Sequence, residues 1–252
     1  MAQRILVPVS VPTWLYGPLL KLKRRLIPPS PVIKNIDGER TVEWSFLSGE
    51  MPEGPGEAID FGCENGYMSL VAACKGFHVL AVDLQRQEFV FEHRNIEFRL
   101  GDFLKLKLPE NHFDLIVNCS SVEHVGVAGR YGIAADQNDG DLEAVSKFAR
   151  VLRPGGALIM TAPCGRDAVM APWCRVYGPE RLPRLLAPLV LEKERYWEKD
   201  EANRWVEVSR GKALDFETRH DPTNPHGCSY ALGGFVLRKA GSADGTGAKP
   251  RC

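Results

Sequence analysis

The sequence predicts an α/β protein with a doubly wound, mostly parallel sheet. Short apolar runs recur between residues 57 and 161, and stretches with helical character separate them. Strands that alternate with helices pair in parallel, because each helix returns the chain to the same edge of the sheet. We expect strands at 57–61, 78–83, 96–100, 113–118 and 156–161, and helices near 66–75, 84–93 and 140–152.

The composition is that of an ordinary globular protein. The chain has 252 residues, enough for one domain with a sizeable core, and its 32 basic and 32 acidic residues balance. Zero net charge gives no general attraction to nucleic acid, and no apolar run is long enough to cross a bilayer. The seven cysteines form no Cys-x-x-Cys pair. We therefore expect free thiols and a cytoplasmic location.

The turn after the first expected strand carries the most information. The strand ends in Asp60, and the turn holds Gly62, Glu64 and Gly66 before an apolar stretch that can open a helix. A strand, a glycine turn and a helix in this order form the place where an α/β sheet receives a nucleotide-like ligand. The spacing Asp-x-Gly-x-x-x-Gly differs from the Gly-x-Gly-x-x-Gly of dinucleotide-binding proteins.

Polar residues also end the strands that follow. Asp83 ends the second strand, Asp102 ends the third, and Asn118 and Cys119 lie at the end of the fourth. An acid at the end of a second strand can accept both hydroxyls of a ribose. The polar ends thus predict an adenosyl-type ligand at the carboxyl edge of the sheet.

This series resembles the class I S-adenosylmethionine (SAM)-dependent methyltransferases. The glycine turn is similar to motif I of that family, although Glu64 stands where the family usually has a middle glycine. The Leu-Arg-Pro-Gly-Gly turn at 152–156 precedes the fifth strand, as it does in the family. The resemblance covers roughly residues 55–165, with weaker support to residue 239. It implies a seven-stranded sheet whose antiparallel last strand lies at 230–239.

The resemblance implies SAM as the cofactor and assigns roles to particular residues. Glycines at 62 and 66 let the backbone approach the ligand, since they have no Cβ. The ligand's amino group would be held by Asp60 or Glu64, and its ribose by Asp83. The remaining expected contacts are with the adenine, from Asp102 and Phe103, and with the methyl donor, from Asn118 and Cys119.

The loop after the fourth strand holds the candidate catalytic residues, Glu123 and His124. A hydroxyl that accepts a methyl group must lose its proton, so a nearby base is useful, and histidine can take that role. His124 can equally be a packing residue, and His220 and His226 are more distant candidates. Some related enzymes hold Mg²⁺ with Glu-x-x-Glu-His, but Ser120 replaces the first glutamate here. We therefore favour a metal-free site, although Asp136, Asp139 and Asp141 could supply oxygen ligands.

The loop after the fourth strand also bears on the acceptor. Residues 121–132 resemble a group of bacterial methyltransferases linked with sugar and cell-surface glycan pathways, and Arg130 and Tyr131 would line the acceptor pocket. We expect O-methylation of a small-molecule or saccharide hydroxyl, with no nucleic-acid partner. N-methylation, or a catalytically silent protein that only binds ligands, remains the alternative.

The domain prediction has three parts. Residues 1–52 form an N-terminal segment that can cap the substrate pocket, 53–240 form the SAM-binding domain, and 241–252 form a disordered tail. Residues 11–28 mix aromatic, aliphatic and basic side chains. Such a segment fits a short helix on the core or a weak peripheral contact with a membrane.

Overall fold

A computed structural model describes residues 38–128, 136–170, 172–202, 204–218 and 230–241. Among these residues, a single large sheet of eight strands is covered by helices on both faces. The strands of this sheet are β1 (Gly56–Phe61), β2 (Phe77–Asp83), β3 (Ile96–Leu100), β4 (Phe113–Cys119), β5 (Leu152–Cys164), β8 (Val190–Lys199), β9 (Trp205–Val208) and β10 (Ala231–Arg238). A separate hairpin pairs β6 (Ala168–Met170) with β7 (Cys174–Val176).

The helices are α1 (Glu39–Glu50), α2 (Tyr67–Cys74), α3 (Gly140–Val151), α4 (Arg181–Leu186) and α5 (Arg210–Leu214), and a 3₁₀ turn spans Val122–His124. No helix of the described ranges is long and apolar enough to span a membrane.

The strand order is β3-β2-β1-β4-β5-β10-β8-β9. Strands β1 to β5 pair in parallel, so their carboxyl ends share one edge of the sheet. Strand β10 inserts antiparallel between β5 and β8. This arrangement confirms the predicted fold class, and the antiparallel β9 adds an eighth strand at the edge beside β8.

The sheet is buried on both faces, as a doubly wound fold requires. On one face, Phe148 of α3 packs with Ile59 and Ile116 of the central strands. On the other, Phe46 and Leu47 of α1 pack with the α2 residues and with strands β1, β4 and β5. Helix α1 therefore belongs to the folded core, although it lies within the predicted N-terminal segment of residues 1–52.

The helix predicted near 84–93 is wrong, since this segment has no helical structure. The rings of Phe89 and Phe91 stack with centroids 5.3 Å apart, and Phe91 also stacks on Tyr67. Side chains two positions apart do not face the same way on a helix. The segment is instead irregular, so that both rings cover the glycine turn and the start of α2.

Candidate active site

The glycine turn between β1 and α2 adopts left-handed backbone conformations at three positions. The φ angles are +67° at Gly62, +44° at Glu64 and +75° at Gly66. Glycine reaches this region without strain, whereas a residue with a Cβ enters it at a cost. The turn thus keeps a glycine-like backbone at Glu64, where the similar family usually has glycine. A Cβ on Gly62 would lie 2.4 Å from Ser121 Oγ, so close packing also requires glycine there.

The end of β2 holds this turn in place through Asp83. Its Oδ2 accepts a hydrogen bond from the backbone N–H of Glu64 at 3.1 Å, and its Oδ1 accepts one from Gln85 at 2.8 Å. The Asp83 carboxylate therefore connects the glycine turn to the end of β2. The same carboxylate is the predicted ribose contact. Each oxygen has a second lone pair for a further donor.

Asp60 is buried at the end of β1, with 2% of its surface exposed. Ser69 of α2 donates a hydrogen bond to its Oδ2 at 2.6 Å. Burial is the main cause that raises the pKa of Asp60 to about 6; hydrogen bonds from Ser69 oppose this rise, and the nearby Asp83 carboxylate adds to it. A buried carboxylate in this position is stabilised by any cationic group that binds beside it.

A small cleft that is open to solvent lies at the carboxyl edge. Its walls come from the glycine turn and from α1 as well as from the strand ends: Arg40, Trp44, Asp60, Gly62, Cys63, Glu64, Asn65, Met68 and Cys119. Asp60, Gly62, Glu64 and Cys119 of this set were predicted from the sequence, whereas the α1 residues and Cys63, Asn65 and Met68 were not. Arg40 is the second residue of α1, a helix outside the repeating strand–helix pattern, so nothing in the sequence marked it as a site residue.

Glu43 of α1 was also not predicted from the sequence. Its side chain is fully buried, and its Oε1 accepts hydrogen bonds from the hydroxyls of Ser120 and, at 3.0 Å, Thr161. Its Oε2 pairs with Arg40 Nη1 at 2.8 Å. Ser120 has a φ of +43°, so this carboxylate fixes a left-handed residue at the mouth of β4.

Asn118 and Cys119 differ in what they offer to a ligand. Asn118 is fully buried, donates to the Thr161 carbonyl at 3.2 Å and accepts from the Val122 N–H at 3.0 Å. These bonds shape the loop after β4. Cys119 lines the cleft, and its Sγ lies 3.3 Å from Arg40 Nη1. Burial raises the pKa of this thiol well above its usual value, so it is a neutral wall of the cleft.

Asp102 and Phe103 follow β3 as predicted, but they lie in different surroundings. The Asp102 carboxylate caps the local turn by accepting from the Leu104 N–H at 3.0 Å, and it pairs with Lys105. Phe103 is 3% exposed and packs edge-to-face on Phe61 with centroids 5.1 Å apart. The Phe103 ring is thus part of the core. The predicted contacts of Asp102 and Phe103 with adenine remain predictions.

Glu123 and His124 lie side by side in the 3₁₀ turn after β4. Glu123 is 2% exposed, and its Oε2 has no hydrogen-bond partner among the described residues. Its pKa is raised to about 8, mainly because the side chain is buried and in part because the Glu43 carboxylate is near. The carboxyl group is therefore mostly protonated at neutral pH.

His124 is oriented by the chain that leads into β7. Its Nδ1 lies 2.6 Å from the backbone carbonyl of Trp173, which can only accept, so Nδ1 carries the proton. In the neutral ring, Nε2 then keeps its lone pair. Nε2 is 3.9 Å from Glu123 Oε1, which is too long for a hydrogen bond.

Several predicted residues lie outside the described ranges, namely Arg130, Tyr131, His220 and His226. The acidic residues before and at the start of α3 already have protein partners. Asp136 accepts from the Ala128 N–H at 2.8 Å, and Asp141 accepts from Arg181. Within the part of the chain that the structure describes, no group of three His, Cys, Asp or Glu side chains is arranged to hold a metal ion.

Comparison with known proteins places this fold and site in a family. A family model described as "Caenorhabditis protein of unknown function, DUF268" matches residues 62–207, from the glycine turn to β9. The chain belongs to the DUF268 family. The matched region contains the glycine turn, Asp83 and the Glu123–His124 pair. Most of the candidate site therefore lies in the part of the chain that the family model covers.

Curated relatives of this DUF268 member are named as methyltransferases. A probable SAM-dependent methyltransferase of Mycobacterium tuberculosis is 26% identical over 126 residues, which are 46% of this chain and 41% of the relative. A probable chloroplastic tocopherol O-methyltransferase of Oryza sativa subsp. japonica is 24% identical over 139 residues, or 51% of this chain and 35% of the relative. The matches thus span less than half the length of these relatives. They confirm the predicted resemblance to SAM-dependent methyltransferases.

Solved structures share the fold at low identity. The 1,6-didemethyltoxoflavin-N1-methyltransferase of Burkholderia thailandensis, with S-adenosylhomocysteine bound, superimposes with a TM-score of 0.52 at 14% identity, covering 94% of this chain and 93% of that chain. The [4+2]-cyclase SpnF superimposes with a TM-score of 0.54 at 17% identity, covering 81% and 82%. One fold thus serves both methyl transfer and a different reaction.

Proposed function

We propose that this DUF268 member is a SAM-dependent methyltransferase that methylates a hydroxyl of a small molecule or saccharide. One observation supports this proposal most directly. Asp83, at the end of β2, accepts a hydrogen bond from the Glu64 N–H and so holds the left-handed glycine turn beside the strand end. This connection holds a close-approach backbone and a strand-end carboxylate at one edge of a parallel sheet, where nucleotide-like ligands bind. The similarity to named methyltransferases supports the same reading.

The residues around the cleft fit the proposed cofactor. Asp60 offers a buried carboxylate for an ammonium group, and Asp83 offers lone pairs for ribose hydroxyls. Asp102 at the end of β3 is our candidate for the adenine amino group. When bound, SAM supplies a methyl group that is already activated for transfer, so the protein's main task is to position the acceptor.

The acceptor side of the proposal rests on Glu123 and His124. The Trp173 carbonyl accepts the Nδ1 proton of His124, so the basic lone pair of the neutral ring is on Nε2, the atom that would take a proton from a hydroxyl. Glu123, protonated near neutral pH because it is buried, can donate a hydrogen bond to the same acceptor. A base is needed for a hydroxyl more than for an amine, and this favours O-methylation.

Calorimetry with S-adenosylhomocysteine tests the cofactor half of the proposal. We expect micromolar binding, on the order of −8 kcal/mol. Transfer of labelled methyl groups from SAM to a panel of hydroxylated sugars and phenols tests the reaction. Binding without transfer to any hydroxyl or amine acceptor would favour the silent ligand-binding alternative. Transfer to amines alone would favour N-methylation, as in the Burkholderia thailandensis enzyme.

We also propose that 53–240 form the catalytic domain and that the segment before it covers the acceptor pocket. Helix α1 is the part of this segment that the structure describes, and its Arg40 and Trp44 lie at the same edge of the sheet, where they line the cleft. The rest of that segment, including residues 11–27, lies outside the described ranges. Deleting residues 1–30 should lower turnover more than affinity for S-adenosylhomocysteine; equal losses would contradict a covering role.

A cytoplasmic location remains part of the proposal. The described cysteines, Cys63, Cys74, Cys119, Cys164 and Cys174, are all free thiols. Free thiols persist in a reducing compartment. Titration of the denatured protein, purified without reductant, should detect all seven thiols, and fewer would point to a disulfide and another compartment.

A further inference from the structure

Arg40 is a fixed cation at the wall of the cleft. Its Nη1 pairs with the fully buried Glu43 at 2.8 Å and lies 3.3 Å from Cys119 Sγ. Two contacts on one nitrogen hold the planar guanidinium in a set orientation. The side chain nevertheless keeps 41% of its surface exposed, so the rest of the group faces the cleft and solvent.

The exposed side of this guanidinium faces Glu64. Arg40 Nη2 lies 3.5 Å from Glu64 Oε2, and the Glu64 side chain is 65% exposed. Glu64 lies in the middle of the glycine turn and itself has a left-handed backbone conformation. The glycine turn therefore places the Glu64 carboxylate next to the Arg40 guanidinium.

We propose that Arg40 is the carboxylate-binding residue of the cleft and that Glu64 competes with the ligand for it. The cleft has a guanidinium at one wall and the buried Asp60 carboxylate among its other lining groups, which together suit the carboxylate and ammonium of an α-amino acid. The inference rests on the proposed function, because SAM and its product carry such an amino-acid part. An incoming carboxylate displaces Glu64, whose exposed pair with Arg40 is weak.

The opposite role for Glu64 gives the opposite result. If Glu64 held the ligand's ammonium group, removal of its charge would weaken binding. If Glu64 competes for Arg40, removal of its charge strengthens binding. The sign of a single change in affinity therefore separates the two roles.

The experiment compares two ligands by calorimetry. S-adenosylhomocysteine carries the amino-acid part, and 5′-methylthioadenosine lacks it. Glu64→Gln should bind S-adenosylhomocysteine about two- to fivefold more tightly than the parent protein, the range expected from loss of an exposed competing pair. Its affinity for 5′-methylthioadenosine should stay unchanged. Glu53→Gln is the matched control, because Glu53 is an exposed, paired glutamate ahead of β1 at the other edge of the sheet.

A second variant tests Arg40 without leaving a buried charge. Arg40→Gln alone would strand the Glu43 carboxylate, so we combine it with Glu43→Gln. Compared with Glu43→Gln alone, the double variant should bind S-adenosylhomocysteine about tenfold more weakly, as loss of a charge-assisted hydrogen bond predicts, and should bind 5′-methylthioadenosine equally well.

The outcomes distinguish this inference from the proposed function. Failure of the parent protein to bind S-adenosylhomocysteine would overturn both. Binding by the parent that is unchanged or weakened in Glu64→Gln would overturn the competition alone. Equal losses for both ligands in the double variant would overturn the assignment of Arg40.

Discussion

Glu43 of α1 accepts a hydrogen bond from Thr161 of β5 at 3.0 Å between Oε1 and Oγ1. The two residues are 118 positions apart in the chain. Their hydrogen bond connects α1, which precedes the first strand, to β5 at the centre of the sheet. The same carboxylate also binds Ser120 and Arg40. It therefore fixes both the mouth of β4 and the cation of the cleft.

This arrangement predicts a large loss of stability in Glu43→Ala. The variant removes hydrogen bonds to two hydroxyls and one guanidinium, so the free energy of unfolding should fall by about 2–4 kcal/mol. Urea unfolding measures it. Glu50→Ala is the matched control, since Glu50 lies on the same helix and pairs with Lys193 at the surface, where about 0–1 kcal/mol is expected. Similar losses in both variants would show that Glu43 has no special structural role.

A second prediction concerns the ribose contact of Asp83. Asp83→Ala should weaken binding of S-adenosylhomocysteine by about 1–3 kcal/mol, because hydrogen bonds to the ligand are lost. Asp83 also holds the glycine turn, so affinity alone does not isolate the ribose. Adenosine and 2′,3′-dideoxyadenosine separate the two effects. The parent should prefer adenosine, and Asp83→Ala should lose that preference; a retained preference would remove Asp83 from the ribose site.

The sequence was sufficient for the sheet and the glycine turn because both depend on local patterns. Apolar runs with polar ends predicted β1 to β5, and the turn residues lie where the spacing placed them. Glu43 and Arg40 escaped notice because their roles depend on contacts with residues far along the chain. The helix near 84–93 failed because tertiary packing of Phe89 and Phe91 outweighed local propensity.

A third prediction follows from the raised pKa of Glu123. The folded protein keeps a proton on this carboxyl up to about pH 8, whereas the unfolded chain releases it near the ordinary value of 4.5. Between these values the folded state binds more protons, so stability falls as pH rises, by up to about 1.4 kcal/mol per pH unit from this group. Below pH 4.5 and above pH 8, Glu123 does not contribute to the change of the free energy of unfolding with pH.

Glu123→Gln should remove this contribution. Compared with the parent by urea unfolding, the variant should be relatively more stable at pH 8 than at pH 5, because its amide cannot ionise. Asp60, with its pKa near 6, adds a slope of the same sign in both proteins and cancels in the comparison. Glu110→Gln, at an exposed position, serves as the control and should follow the parent curve. A pH-independent difference between Glu123→Gln and the parent would contradict the raised pKa.

The last prediction tests His124 as the general base of the proposed O-methylation. A positioned base contributes about 10²–10⁴-fold, so His124→Ala should lose turnover of that order on the true acceptor. Affinity for S-adenosylhomocysteine should stay nearly intact, because the proposed adenosyl contacts lie elsewhere. Turnover of the parent should fall as the pH is lowered, since a protonated imidazole cannot accept a proton.

His124→Asn separates catalysis from orientation. The asparagine amide can still donate to the Trp173 carbonyl from near the place of Nδ1, but it cannot act as a base. If His124 removes the proton, His124→Asn should be as slow as His124→Ala, while His78→Ala, an exposed change near the start of β2, should keep parental turnover. Recovery of turnover in His124→Asn would show that the histidine acts only through its bond to Trp173. The acceptor would then lose its proton without this base, as an amine acceptor can.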